Sequence, residues 1–159
     1  LIVRADGSIS QAEMTSCGLN GGDLPGKGEY SAAICCNLTN GKMPHIANKV
    51  RKDIPCVTHS GGEWYVGNAT KETLAAYKYF SIQKHTKLCV TARGTGTMQI
   101  SLKDECIGTL SFRCEKWTEA ALVIPKSCTH AALWLRVTEG GLEILSLRFS
   151  PEEMEKTML

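Results

Sequence analysis

The chain has 159 residues, a formal net charge of +2 and 43% hydrophobic residues, which is the size of a single domain able to bury its own core. Its 18 Lys and Arg residues are scattered, with none of the striping that follows a phosphate backbone, so the charge pattern argues against nucleic acid as a partner. No apolar run approaches the ~18 residues of a membrane helix, which argues against a membrane partner, and the opening LIVRADGS lacks the basic-then-apolar layout of a signal peptide. A chain that begins at Leu1 reads as a piece of a larger protein.

In chain order, residues 1–10 read as a lead-in strand that belongs with whatever precedes the domain. Gln11 to Cys36, QAEMTSCGLNGGDLPGKGEYSAAICC, reads as an acid-bearing strand, a glycine-rich loop and a second strand, without a catalytic element. Asn37 to Asn68 is expected to be rich in loops, punctuated by Pro44, Pro55 and Gly61-Gly62. A long irregular segment of this kind carries function or lies against another surface. Tyr77 and Tyr79, two apart on one strand, are expected to share a face and to pack there.

From residue 88 onward the period-2 pattern of half-buried strands takes over. Leu88, Val90 and Ala92 alternate with Thr91 and Arg93, and Met98, Ile100 and Leu102 alternate with Gln99, Ser101 and Lys103. Gly94-Thr95-Gly96 between them predicts a hairpin turn. A second pair is expected at 106–112 and 118–124, closed by Pro125, and a third at 130–138 and 142–149, joined across Glu139-Gly140-Gly141. Short strands with glycine turns at this spacing predict an all-β antiparallel sandwich. The tail alone reads as helical: Ser150 can cap, Pro151 suits the first helical position and Glu153 completes a capping box.

The eight cysteines are Cys17, Cys35, Cys36, Cys56, Cys89, Cys106, Cys114 and Cys128. An even number can form a disulfide framework, but Cys35 and Cys36 are adjacent and Cys89 stands in an apolar run where a thiol acts as a small hydrophobe. Reduced cysteines in a reducing, cytoplasmic compartment are expected, with a secreted disulfide-stabilised lectin as the alternative. No CxxC occurs and the histidines show no ligand spacing, so no zinc site is predicted. Glu13, Glu29, Glu63, Asp104 and Glu143 supply carboxylates, yet no spacing defines an acid and a base. No GxSxG elbow and no phosphate-cradling GK[ST] is present, so no catalytic residue is assigned.

The Gln11 to Cys36 stretch, continued to about Phe149, resembles the C-terminal β-sandwich domain of bacterial family 43 glycoside hydrolases, the xylosidase and arabinofuranosidase group. That domain is similar to family 6 carbohydrate-binding modules. The resemblance implies a galactose-binding-like jelly roll over residues 11–150, with a tail at 151–159 and residues 1–10 ending an upstream catalytic domain that carries the catalytic acids. It implies a noncatalytic accessory domain whose partners are xylo- or arabino-oligosaccharides, or that upstream domain itself.

Two sets of site residues follow from the resemblance. A structural calcium is implied at Gln11 and Glu13, with Glu143 as the nearest acid on the last strand because Leu145 stands where the family carries its ligand. For sugar, the C–H face of a pyranose stacks on aromatic rings. Trp64 and Tyr65, just after Gly61-Gly62, resemble the aromatic loop forming one wall of the ligand cleft. Apart from the resemblance, Trp134 alternates against Leu133 and Leu135, so with those leucines in the core it stands on the other face beside Ala132 and Arg136, as a second platform or covered by the upstream domain; Trp117 is expected in the core. The second clamp aromatic is replaced here by Arg113, Cys114 and Glu115, so the resemblance leaves open a domain that packs on the catalytic one without binding sugar itself.

Overall fold

The computed structural model describes residues 3–10, 12–18, 21–42 and 53–151. Among the described residues nine strands follow one another: β1 (Leu24–Pro25), β2 (Gly28–Ser31), β3 (Asn37–Thr39), β4 (Cys56–Ser60), β5 (Glu63–Thr70), β6 (Leu74–Ile82), β7 (Thr86–Leu102), β8 (Glu105–Val123) and β9 (Cys128–Pro151). One 3-10 turn, Ala32–Ile34, is capped by Ser31, whose hydroxyl accepts from the Ala33 amide. Every strand pairing is antiparallel except that of β1 with β6.

The three expected hairpins are instead three long, bent strands. Gly94–Gly96 lies inside β7, residues 113–117 inside β8, and Glu139–Gly141 inside β9. The glycines mark a corner and not a turn. Gly94 pairs with Leu142 and Gly96 with Gly140, flanked in the same β7–β9 ladder by register shifts at Thr91/Ala92 and Thr97/Met98. A Cβ on Gly140 would lie 2.1 Å from the Thr95 carbonyl, so the two backbones meet there too closely for any side chain.

Because β7, β8 and β9 all bend, one hydrogen-bonded sheet folds over itself into two layers. The first holds β3 and β6, β9 from 128 to 137, β7 from 97 to 102 and β8 from 105 to 112. The second holds β4, β5 and β2, with the other halves of the three long strands. Tyr77, Phe80, Met98, Leu133 and Leu135 from the first layer share one core cluster with Val66, Leu88, Val90, Ile144, Leu147 and Phe149 from the second. Phe80 and Phe149 meet across the layers at 4.9 Å, with Tyr30 edge-on to both. The all-β sandwich read from the alternation is therefore the observed fold.

Several local expectations are corrected. Residues 12–18 form no strand; Ser16 instead donates its amide to the Lys78 carbonyl at the edge of β6. Gly61-Gly62 is a tight two-residue turn closing the β4–β5 hairpin, both glycines at positive φ, which places Trp64 and Tyr65 on a strand and not in a loop. Tyr77 and Tyr79 do not share a face, because the register of β6 shifts between Tyr77 and Phe80. Tyr77 is fully buried and donates to the Ala32 carbonyl at 2.9 Å, while Tyr79 lies outside against His130. Ser150 and Pro151 end β9, Pro151 opposite Thr86, and do not cap a helix; the rest of the tail, Glu153 included, lies outside the described residues.

Candidate functional site

Leu133, Leu135 and Val137 face the core, so the residues between them, Trp134 and Arg136, stand on the outer face of the first layer. Trp134 sits between Ala76 of β6 and Ser101 of β7. Around its half-buried indole runs a shallow groove of about 290 Å³, lined by Leu74, Gln99, Ser101, Lys103, Asp104 and Arg136. The Lys78 ammonium hangs over the ring at 5.9 Å. The groove thus combines an aromatic face with an amide, a hydroxyl, a carboxylate and cationic donors, which is the equipment for a ring bearing many hydroxyls. The outward face of Trp134 and its neighbour Arg136 were legible in the sequence, but Gln99 and Ser101 were not linked to them. Gln99 and Ser101 occupy the polar half of the period that fixes Met98, Ile100 and Leu102 in the core, and that alternation was the available signal.

A second aromatic pair occupies the outer face of the other layer. Tyr65 of β5 meets Trp117 of β8 edge-on at 5.4 Å. Trp117 is half-buried here and not in the core cluster. Between and above the rings lies Arg93 of β7, its guanidinium carbon 4.2 Å from the Trp117 centroid and 5.5 Å from that of Tyr65. Its Nε donates to Glu143 of β9. Beside Arg93 opens a cleft of about 710 Å³, walled by Asn68, Thr70, Thr95, Arg113, Glu115 and Glu143. Arg93 carried no signal in the sequence beyond its place in an alternating strand.

Trp64 and Tyr65, paired in the sequence reading, are split by the strand's pleat. Tyr65 is 8% exposed and covered by Arg93 and Trp117. Trp64 is 56% exposed and leans on His59 of β4 at 4.8 Å, near the exposed Val57 of the same hairpin. The three expected sugar-contacting aromatics therefore lie in three different places.

The calcium set is not brought together. Gln11 lies outside the described residues. Glu13 accepts from the Tyr79 hydroxyl at 2.7 Å and the Lys78 ammonium at 3.0 Å, which hold its carboxyl below the usual carboxylate range, the tyrosine foremost. Glu143 is engaged by Arg93 in the other layer. Carboxylates already neutralised by the protein's own cations do not fit a hard divalent ion. Among the described residues no three His, Cys, Asp or Glu side chains are placed to hold a metal.

Near Glu13, a second anchor fixes the early chain to the first layer. Asp23 accepts from the His130 ring at 2.9 Å, from the His130 amide at 2.6 Å and from Ser81 at 3.0 Å. These bonds, the His130 ring foremost, lower the Asp23 pKa. His130 in turn stacks on Tyr79 at 3.7 Å. All eight cysteines are free thiols in this structure; burial pushes Cys35 up to about 11, and Cys89 is buried in the second layer.

No protein-family model matches the chain. A xylosidase/arabinosidase of Thermoclostridium stercorarium is 34% identical over 134 residues, covering 76% of this chain and 28% of that protein. The chain thus spans under a third of the length of the curated relative it matches. A carbohydrate-binding module of family 6 from Clostridium stercorarium, solved with cellobiose, superposes with a TM-score of 0.63 at 14% identity, over 83% of this chain and 99% of the module. A family 43 arabinoxylan arabinofuranohydrolase from Bacillus subtilis, solved with cellotetraose, superposes with 0.61 at 13% identity, over 95% of this chain and 33% of that enzyme. A family 36 module solved with calcium and xylotriose gives 0.55 at 13% identity, over 77% of this chain and 98% of the module. The chain therefore has the β-sandwich fold of the family 6 carbohydrate-binding modules and is a sequence relative of a segment of a bacterial xylosidase/arabinosidase.

Proposed function

We propose that this chain is a noncatalytic, carbohydrate-binding accessory domain of a family 43-like glycoside hydrolase that acts on xylan- or arabinan-derived sugars. The observation that carries this reading is the groove at Trp134, an outward indole bordered by Gln99, Ser101, Asp104 and Arg136. A pyranose stacked on the indole would place its hydroxyls within reach of those polar groups. Residues 1–10, whose Val3 and Ile9 are exposed and joined by a single bridge, are the lead-in from the upstream catalytic domain in this reading. The relative's name, the name of the arabinoxylan arabinofuranohydrolase and the xylotriose held by the family 36 module support the substrate class, while the cellobiose and cellotetraose of the other neighbours are the reason to include cello-oligosaccharides in the test.

The test is a titration of the isolated chain with xylo-, arabino- and cello-oligosaccharides, followed by tryptophan fluorescence. Saturation at millimolar sugar that disappears in Trp134→Ala is expected; a flat response from the unaltered chain overturns the reading. A second reading, docking on the catalytic domain, is favoured by the exposed Trp64 and Val57 on the β4–β5 hairpin. Added catalytic domain that protects this hairpin from hydrogen exchange would support it. Neither reading places calcium at Glu13 or Glu143, and Glu143→Gln is expected to leave any effect of chelator on the melting midpoint unchanged.

A further inference from the structure

We propose that Arg93 is a plug that closes the second-layer cleft to sugar stacking, leaving Trp134 as the binding platform. The inference rests on the sugar-binding reading above for its probe, while its structural claim stands on the geometry of Arg93 alone. Stacking needs an open ring face, and any group already lying on that face competes with the ligand. A planar guanidinium is a strong competitor, because it stacks on indole and phenol rings and is weakly hydrated. Tyr65 and Trp117 are close enough, at 5.4 Å, for one guanidinium to reach both, and Arg93 lies 4.2 Å from one centroid and 5.5 Å from the other.

Two features hold the plug in place. Val90 and Ala92 are buried in the core, so Arg93 next to Ala92 stands on the outer face of β7, where the β7–β8 ladder shifts register between Ala92 and Gly94. Glu143, directly opposite Arg93 in the register, accepts from its Nε and fixes the side chain. The consequence is visible in the cleft wall. Arg93, Glu143, Arg113, Glu115 and Asn68 line the 710 Å³ space, while neither Tyr65 nor Trp117 does, although both touch Arg93. A neutral sugar entering the cleft meets charged edges and no ring face. To stack, it must lift a guanidinium from two rings and strip Glu143 of its partner.

Removing the plug should create a second binding site. The experiment uses Trp134→Ala as the parent, so that the groove is silent, and compares it with Trp134→Ala/Arg93→Ala and with the triple variant that adds Trp117→Phe. Acrylamide quenching and xylo-oligosaccharide titration are read on each, with circular dichroism as the check on folding. Arg93→Ala is expected to raise quenching and to tighten sugar binding by about tenfold or more relative to the parent, and Trp117→Phe to cancel the gain in sugar binding, its quenching then reporting the exposed Trp64 alone. Arg93→Lys, which keeps the charge but not the planar stack, should fall between and serves if the alanine variant does not fold. Unchanged quenching in folded protein overturns the plug. Raised quenching without any gain in sugar binding overturns Arg93 as the group that keeps sugar out. If the unaltered chain shows no Trp134-dependent binding while the Arg93 variant binds through Trp117, the plug stands and the groove reading falls.

Discussion

The two layers present two aromatic sites that differ in what lies on the rings. Trp134 on the first layer has an outward face in a polar groove, with the nearest cation, Lys78, 5.9 Å from its centroid and held by Glu13. Trp117 and Tyr65 on the second layer carry a guanidinium at stacking distance, held by Glu143. In both cases an aromatic meets a cation that is paired with a carboxylate. The guanidinium carbon lies 4.2 Å from the Trp117 centroid and the Lys78 ammonium 5.9 Å from that of Trp134, and the nearer, planar cation is the stronger competitor with sugar for the ring face.

Breaking the corner that separates the layers should have the largest effect. Gly140→Ala puts a Cβ into the Thr95 carbonyl at a residue with φ +72, and a loss of about 3 kcal/mol or more is expected in denaturant unfolding. Trp134→Ala should weaken oligosaccharide binding by about tenfold or more, with little change in unfolding because the ring is on the outer face. Glu143→Gln loosens Arg93 and should cost about 0.5–1 kcal/mol, since both partners are a third exposed, while raising the acrylamide accessibility of Trp117. A calorimetric comparison that finds Glu143→Gln costlier than Gly140→Ala would invert this ranking.

The smallest effect concerns pH and the first layer alone. Glu13 and Asp23 have pKa values lowered in the folded state by Tyr79 and Lys78 and by His130 and Ser81. A lowered folded pKa means that the stabilisation is present at neutral pH and is lost as pH falls through the folded value. Protection from hydrogen exchange, taken relative to the intrinsic rate at each pH, should therefore fall at residues 12–18 and 21–26 as pH drops below about 5, before the second layer responds. A uniform fall in protection across both layers would show that these bonds do not anchor the early chain.

The alternation at 88–103 and 130–149 made the β class, the core residues and the outward position of Trp134 legible in advance. It did so because burial on one face of a strand imposes a period of two wherever the strand sits. The glycines were legible as punctuation but not as to kind. Gly61-Gly62 closes a hairpin, whereas Gly94, Gly96 and Gly140 bend continuous strands, and the choice depends on the partner strand that crosses them. Trp64 and Tyr65 looked like a pair because they are neighbours in sequence; the pleat sends them to different surroundings.

The sequence by itself determined that this chain makes an antiparallel sandwich, which residues fill it, and that Trp134 faces outward, since periodicity and side-chain volume are local properties. Only the tertiary structure decided which aromatics are open. Arg93, Glu143, Tyr65 and Trp117 lie on four different strands, Glu143 fifty residues beyond Arg93, and meet because the register of the folded sheet brings them side by side. Glu13 was likewise settled by contacts with Lys78 and Tyr79 that no spacing encodes. Long-range register is a property of the packed sheet as a whole, and it is register that brings a guanidinium close over Trp117 and keeps the nearest cation to Trp134 farther off.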